Sequence, residues 1–325
     1  MSAQPSEALA IAADRAPGAF AQAFRRLRHE HLGVLGLLLV LLVIFCAIFG
    51  PSIVPYNPVK IDIPHRFNPP SLTHLFGTDM IGRDVFSRIV VGSGIAMKVS
   101  CISIAIALAI GLLLGLAAGY GPRWLDNLLL LSCDSIYSFP TVILGLTVMT
   151  LLGPSMINLI LVVVVVQTPA YARLIRTATL STKTSEYILA IRSLGASPAR
   201  ILFVHILPNI IGPLFIIASM DIPSVITLEA GLTYLGMGIP PPAPSWGRIL
   251  LDGFDNIRDA PWIVVAGGIP LIVTTLGFTF VGESLRDLVE PRVRRMPLGR
   301  TKVCWGPTSL MNWPMFQPLT NITTR

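Results

Sequence analysis

Charge is the scarcest ingredient of this chain. Only 13% of its 325 residues are Asp, Glu, Lys or Arg, about half the share of an ordinary soluble domain. Between Asp134 and Arg173, 38 consecutive residues carry no charge at all. Such a run cannot form the surface of a soluble protein, and at about 20 apolar residues per crossing it is long enough to traverse a bilayer twice. The apolar stretches are continuous rather than alternating, which excludes a transmembrane barrel and leaves helices as the buried segments. Cysteine is sparse as well. Cys46, Cys101, Cys133 and Cys304 have no metal-ligand spacing and make no disulfide framework, so they read as small apolar side chains. The five histidines are equally scattered, and no metal site is expected. No Gly-Lys pair occurs anywhere, so the nucleotide-binding loop G-x-x-x-x-G-K-[ST] is absent. No nucleophile-plus-base constellation stands among the apolar runs, and a catalytic role finds no support.

What remains is an all-α, polytopic membrane protein with mean hydropathy +0.72. Six spans are expected, at 32–49, 99–120, 135–152, 156–172, 210–234 and 261–282. Gly153-Pro154-Ser155 divides the long uncharged run into the third and fourth. The first follows Arg25, Arg26 and Arg28; a long polar leader and the lack of a cleavage site argue against a signal peptide. With both ends inside, 17 Lys and Arg fall on the cytoplasmic side and 7 outside, the expected bias. The net charge of +7 thus reads as topology, not as a nucleic-acid surface. The outer loops at 50–98 and 235–260 are proline-rich and are expected to be stiff and extended.

Residues 185–209 of the inner side read as two short helices with a bend. Ser185 is placed to cap the first, with Glu186 in its first turn. Gly195 fits the left-handed position after it. Ser197 and Pro198 start the second, which is expected to run to about Leu207 before Pro208 disturbs it. Ile188, Ile191, Leu194, Ile201, Leu202 and Val204 need a cover. An amphipathic helix lying on lipid would not require the bend at Gly195.

Leu189-Ala190-Ile191, Gly195 and Leu207-Pro208, with His205 and Asn209 around the last pair, resemble the cytoplasmic "EAA" loop of permease subunits of bacterial ABC importers. Leu189 and Ile191 depart from it, standing where the pattern has Glu and Ala. Three further stretches resemble the dipeptide/oligopeptide/nickel branch of that family. They are Gly77-Thr78-Asp79-Met80-Ile81-Gly82-Arg83-Asp84-Val85-Phe86-Ser87-Arg88, Pro169-Ala170-Tyr171-Ala172-Arg173, and Leu228–Gly238 followed by Pro240–Pro242 and Pro244-Ser245-Trp246-Gly247. The four motifs stand in order across roughly residues 25–295; Ser93-Gly94 and Asp221 depart from the pattern.

The resemblance implies a type I ABC importer permease fold and a non-catalytic subunit in the inner membrane with both termini cytoplasmic. It implies two ATPase subunits that carry the ATP and Mg, a second homologous permease and an extracytoplasmic substrate-binding protein. The cargo it implies is most often a short peptide, with nickel or another small solute as the alternative. The coupling segment that would dock on the ATPase comprises Glu186, Leu189, Ala190, Arg192, Gly195, Ala196, Arg200, Leu207 and Pro208. Arg192 and Arg200 would either pair with acids on that partner or serve only as topology markers. Gly77, Asp79, Gly82, Arg83, Asp84 and Arg88 are candidates for an outer gate or for contact with the binding protein, or else anchor the second span; Asp84 and Arg88, four apart, could pair along a helix. The intramembrane acids Asp221 and Glu229 are candidates for the translocation path, with pairing to an outer-loop Arg as the other reading of Glu229. The expected organisation is a leader at 1–31, the first span and outer loop at 32–96, a five-helix core at 97–295 with the coupling loop at 173–209, and a disordered tail at 296–325. An autonomous ion- or proton-coupled carrier is the competing function.

Overall fold

The computed structural model describes residues 31–289; the expectations for the leader and the tail lie outside the described residues. Among these residues there are helices, turns and a single isolated β-bridge, Thr78 to Asp84, but no strand. Five helices or helix runs are long and apolar enough to cross a bilayer, and a sixth crossing exists if one sharply bent pair counts as a span.

α1 (His31–Ile53) is apolar all round and buries only Gly33, Gly36, Val40, Val43 and Gly50. Leu38, Leu41, Leu42, Phe45, Ile48 and Phe49 stay exposed, as suits a helix with lipid on one side. α2 (Val85–Tyr120) starts at Val85 rather than at the expected Val99, so the last part of the supposed outer loop is helical. It crosses α5 (Met156–Lys183) along Gly111, Gly115 and Gly119. A Cβ on Gly115 would lie 2.6 Å from the Ala172 carbonyl oxygen and 2.7 Å from Ile175 Cβ. Glycine at every fourth position lets two backbones approach closely, and in lipid such packing is a main source of helix association.

The third span is not the straight helix expected over 135–152. α3 (Arg123–Tyr137) and α4 (Thr141–Leu152) meet at 85° across Ser138-Phe139-Pro140. Pro140 lacks an N–H and drives Phe139 out of helical geometry, which breaks the ladder there. α4 alone has 12 residues, about 18 Å at 1.5 Å per residue, too short for a 30 Å core.

α5 runs on through Arg173 to Lys183 instead of ending at Ala172. Its basic residues are largely used inside the chain. Arg176 grips Asp126 of α3 with two parallel bonds, Nε to Oδ1 and Nη2 to Oδ2, the latter at 2.6 Å. Lys183 Nζ donates to the Gly119 and Tyr120 carbonyls at 3.3 Å, closing the C-terminal end of α2 where carbonyls lack partners.

The hook follows as α6 (Glu186–Ser193), α7 (Pro198–Arg200), a π-helical stretch (Ile201–Ile206), α8 (Leu207–Met220) and α9 (Ile222–Tyr234). The expectation that Pro208 ends the second short helix fails. The ladder widens instead, Leu207 N–H reaching Leu202 O, which is how a helix accommodates an inserted strain without stopping. Pro208 then sits in the first turn of α8, where its missing N–H is tolerated. Pro198–Tyr234 is thus one 37-residue run, interrupted only at Asp221. The proline-rich 235–260 segment is also not extended throughout: α10 (Trp246–Asp255) folds within it, capped by Ser245. α11 (Trp262–Val289) completes the bundle and packs on α1, where a Cβ on Gly36 would lie 2.6 Å from Phe280 Cβ.

Candidate functional site

Three polar constellations stand out against the apolar bundle. The first holds every residue of the Gly77–Arg88 motif. Gly82, at φ +78°, turns the chain so that a Cβ there would lie 1.8 Å from the Asp62 carbonyl oxygen. That turn aims Asp79, fully buried, at the backbone N–H groups of Ile81 and Arg83 and at Arg83 Nε, 2.6 Å away. Arg88 Nη1 bonds the same Asp79 carboxylate and reaches Asp252 of α10 at 3.3 Å. Arg83 Nη2 reaches Asp252 Oδ2 at 3.3 Å, and Arg248 Nε its Oδ1 at 2.9 Å. Two acids and three guanidinium groups thus clasp α10 to the start of α2. Arg83 and Arg88 are 7% and 1% exposed, so their charges are satisfied within this chain.

The expected Asp84–Arg88 pair does not form. Asp84 is the N-cap of α2, accepting from Ser87 N–H at 2.8 Å and Ser87 Oγ at 2.6 Å, and it bonds His74 Nδ1 at 2.9 Å. A capping carboxylate is held at the helix N-terminus by the dipole as well as by these bonds, and this geometry points it away from Arg88. Gly77 (φ +68°) brings the backbone against Asn68 and the Trp262 indole.

The second constellation is the hook. Ile188, Ile201 and Ile206 are buried in the same apolar cluster as Ile104 and Leu116 of α2 and Val163 and Ile175 of α5. Ile191, Ala196, Leu202 and Leu207 pack partly against that cluster. The other face is open: Glu186, Leu189, Ala190, Arg192, Gly195, Arg200 and Pro208 are exposed, and Leu194 is 87% exposed. Of the side chains expected to need a cover, Leu194 and Val204 remain uncovered. Gly195 adopts φ +83°, as the sequence predicts, with open space where a Cβ would be. Ser185 departs from expectation. It occupies the cap position, but its hydroxyl donates to the Thr182 carbonyl and caps nothing in α6. Ser197 does cap, accepting from Arg200 N–H.

The third lies within the spans. Asp221 sits at the break between α8 and α9 and accepts from the Tyr171 hydroxyl at 2.8 Å. Glu229, 1% exposed, accepts from Thr233 Oγ1 at 3.0 Å and not from an outer-loop Arg; its Oε2 has no hydrogen-bond partner among the described residues. Beside it, Gly247 packs so closely that a Cβ would lie 2.3 Å from the Ala230 carbonyl oxygen, and Trp246 Nε1 donates to the Ile89 carbonyl at 3.0 Å.

Residues 111–295 match the family described as "Binding-protein-dependent transport system inner membrane component". The chain belongs to that family. Residues 18–70 of the permease also match the "N-terminal TM domain of oligopeptide transport permease C". It is similar to the dipeptide transport system permease protein DppC of Alkalihalophilus pseudofirmus, at 35% identity over 273 residues, 84% of this chain and 90% of that one. It is also similar to the di/tripeptide permease DppC of Pseudomonas aeruginosa, at 34% over 284 residues, 86% and 94% of the two chains. The glutathione permease GsiD of Escherichia coli O6:K15:H31 is 36% identical over 272 residues, 83% and 90%. Among solved structures, the inward-facing MetNI methionine ABC transporter matches with TM-score 0.46 and 19% identity, over 63% of this chain and 94% of that one. The permease is therefore a multi-pass inner-membrane transport subunit with the all-helical fold of an ABC importer permease.

Sequence reasoning missed Asp252 and Arg248, the partners of the Gly77–Arg88 motif, because they lie more than 150 residues away. It also missed Tyr171 as the partner of Asp221. The one available signal for Tyr171 was its place in the Pro169–Arg173 motif, beside a break that Pro223 already marked.

Proposed function

We propose that this permease forms half of the membrane pathway of an ATP-driven importer of short peptides, with the hook facing the cytoplasm and the Asp79–Asp252 clasp facing outward. Two ATPase subunits supply ATP hydrolysis with Mg, and this chain contributes no catalysis. A second, homologous permease completes the pathway, and an extracytoplasmic binding protein delivers the cargo near the clasp. The observation that carries this reading is the hook: Ile188 and Ile201 root it in the core while Leu194, Tyr187 and Leu189 face outward with nothing over them. An exposed apolar patch of this kind, rimmed by Glu186, Arg192 and Arg200, fits a protein interface. Its continuity with α8 and α9 gives closure of the ATPase pair a route to the spans, since packed interfaces switch between discrete arrangements. The peptide cargo is supported by the dipeptide, di/tripeptide and glutathione permeases to which the chain is similar.

The test is purification of the tagged permease with its associated subunits. The expected outcome is co-purification of ATPase chains, a disulfide or bifunctional cross-link to them from Leu194→Cys, and peptide uptake into proteoliposomes only with ATP and binding protein. Peptide uptake that persists without ATP, from a preparation free of ATPase chains, would mean an autonomous carrier instead.

A further inference from the structure

Inside the spans, charged and aromatic groups from three segments converge on one place. The Tyr171 hydroxyl bonds Asp221 at 2.8 Å. The Arg173 guanidinium lies over the Tyr137 ring, 4.3 Å from its centroid. Tyr137 is in turn an electrostatic neighbour of Arg173, Asp221 and Tyr171. It ends α3, at the edge of the 85° break. Arg173 is not satisfied by this chain. Its Nη1 approaches Asp134 at 3.6 Å, whereas Nε and Nη2 are buried without a hydrogen-bond partner among the described residues. Those two nitrogens share one edge of the guanidinium, the edge that grips a carboxylate with two parallel bonds. Three residues further along, Arg176 holds Asp126 by that same edge. A buried charged donor left idle is costly, so the free edge of Arg173 is a vacancy with a defined shape.

The surroundings are not those of a lipid-facing surface. The Asp134 side chain is 63% exposed and that of Arg173 40% exposed, while Tyr137 and Phe139 are also open. Charges so exposed at this depth face a water-filled path or a second subunit, not hydrocarbon. Broken helices are tolerated in a bilayer for the same reason, where they line a cavity.

We propose that Arg173 and Asp221 form an intramembrane recognition site for a small zwitterion with a free carboxylate and a free ammonium group, the two ends of a short peptide. Arg173 takes the carboxylate on its Nε/Nη2 edge. Asp221, steadied by Tyr171, takes the ammonium, and Tyr137 lies between them as an apolar floor. This rests on the peptide reading above and extends it: the permease, and not only the binding protein, inspects both ends of the cargo.

The test uses the assembled permease–ATPase complex in nanodiscs, without binding protein. Equilibrium dialysis with radiolabelled Ala-Phe is competed by Ala-Phe, by its N-acetyl form and by its C-terminal amide. Wild type is expected to favour the free dipeptide over either capped form by about tenfold or more, the worth of one charge-assisted bond. Asp221→Asn, which keeps an acceptor for Tyr171, is expected to lose the discrimination against the acetyl form only. Arg173→Gln is expected to lose that against the amide only. Arg173→Lys, assembled normally by size-exclusion chromatography, keeps the charge but not the fork and is expected to weaken the free dipeptide. No binding by wild type, equal binding of capped and free peptides, or variants that weaken all three alike would overturn the site. ATP-driven uptake of Ala-Phe by wild-type proteoliposomes with binding protein separates the two ideas. Uptake without end-discrimination sinks only this site; no ATP-dependent uptake sinks the peptide reading itself.

Discussion

Replacing Gly195 isolates the bend of the hook from everything around it. A Cβ at this position meets open space, so no substitution clashes with a neighbour. What changes is the backbone alone, held at φ +83°. The Gly195 N–H bonds the Arg192 carbonyl at 3.0 Å and Leu194 N–H bonds Ala190 at 3.1 Å, which fixes the turn. An L-residue in this region costs about 1–2 kcal/mol, and a β-branched one stands at the upper end or beyond. At 1.4 kcal/mol per factor of ten, Gly195→Val leaves the bent form about 5- to 30-fold less favoured. Asn tolerates the left-handed region, so Gly195→Asn should lose little. The assay is peptide uptake and ATP hydrolysis measured on the same proteoliposomes. Gly195→Val should lower uptake by that factor while the complex still assembles in the membrane, and Gly195→Asn should remain near wild type. Equal behaviour of the two variants, or full uptake by Gly195→Val, would refute the assignment of the bend to coupling.

Three other outcomes follow from the packing. Asp79→Ala strands the buried guanidinium groups of Arg83 and Arg88 and should cost about 3–5 kcal/mol, read as a lower melting temperature of the purified complex and faster proteolysis of residues 54–84. Gly115→Val forces a side chain against the α5 backbone and should cost about 1–3 kcal/mol or prevent assembly, visible as loss of the complex on size-exclusion chromatography, whereas a substitution at the open Gly231 should not. Ile188→Ala empties a buried socket under the hook at about 2–5 kcal/mol; it should raise the protease sensitivity of residues 185–205 and lower uptake, with little effect on membrane insertion.

The spans and the bend were legible because both are written in local chemistry. Hydropathy alone marks α1, α2 and α11, and the pairing of Gly195 with Ser197-Pro198 marks a left-handed turn followed by a helix start. Boundaries were less legible where charge was taken as the end of a helix. Arg88, Arg173 and Arg176 all lie within helices, because Asp79, Asp126 and the Tyr137 ring neutralise or cover them. Pro140 and Pro208 look alike in the sequence and act differently. The first breaks the chain by 85°, while the second is absorbed by a widened ladder because it falls in the first turn of the next helix. The clasp was readable as a motif but not as a structure. Asp252 gives no sign in sequence that its partners lie near residue 83, since only the return of α10 against α2 brings them together.

The π-helical stretch has a mechanical consequence. Because the coil widens at Ile201–Ile206 rather than stopping, the hook and the broken span share one stiff shaft. From Pro198 to Asp221 that shaft measures roughly 35 Å at 1.5 Å per residue, so a swing of about 10° at its foot displaces its head by about 6 Å. A stroke of that size is wider than a water molecule, and it arrives at the one place on the shaft where a carboxylate interrupts the coil.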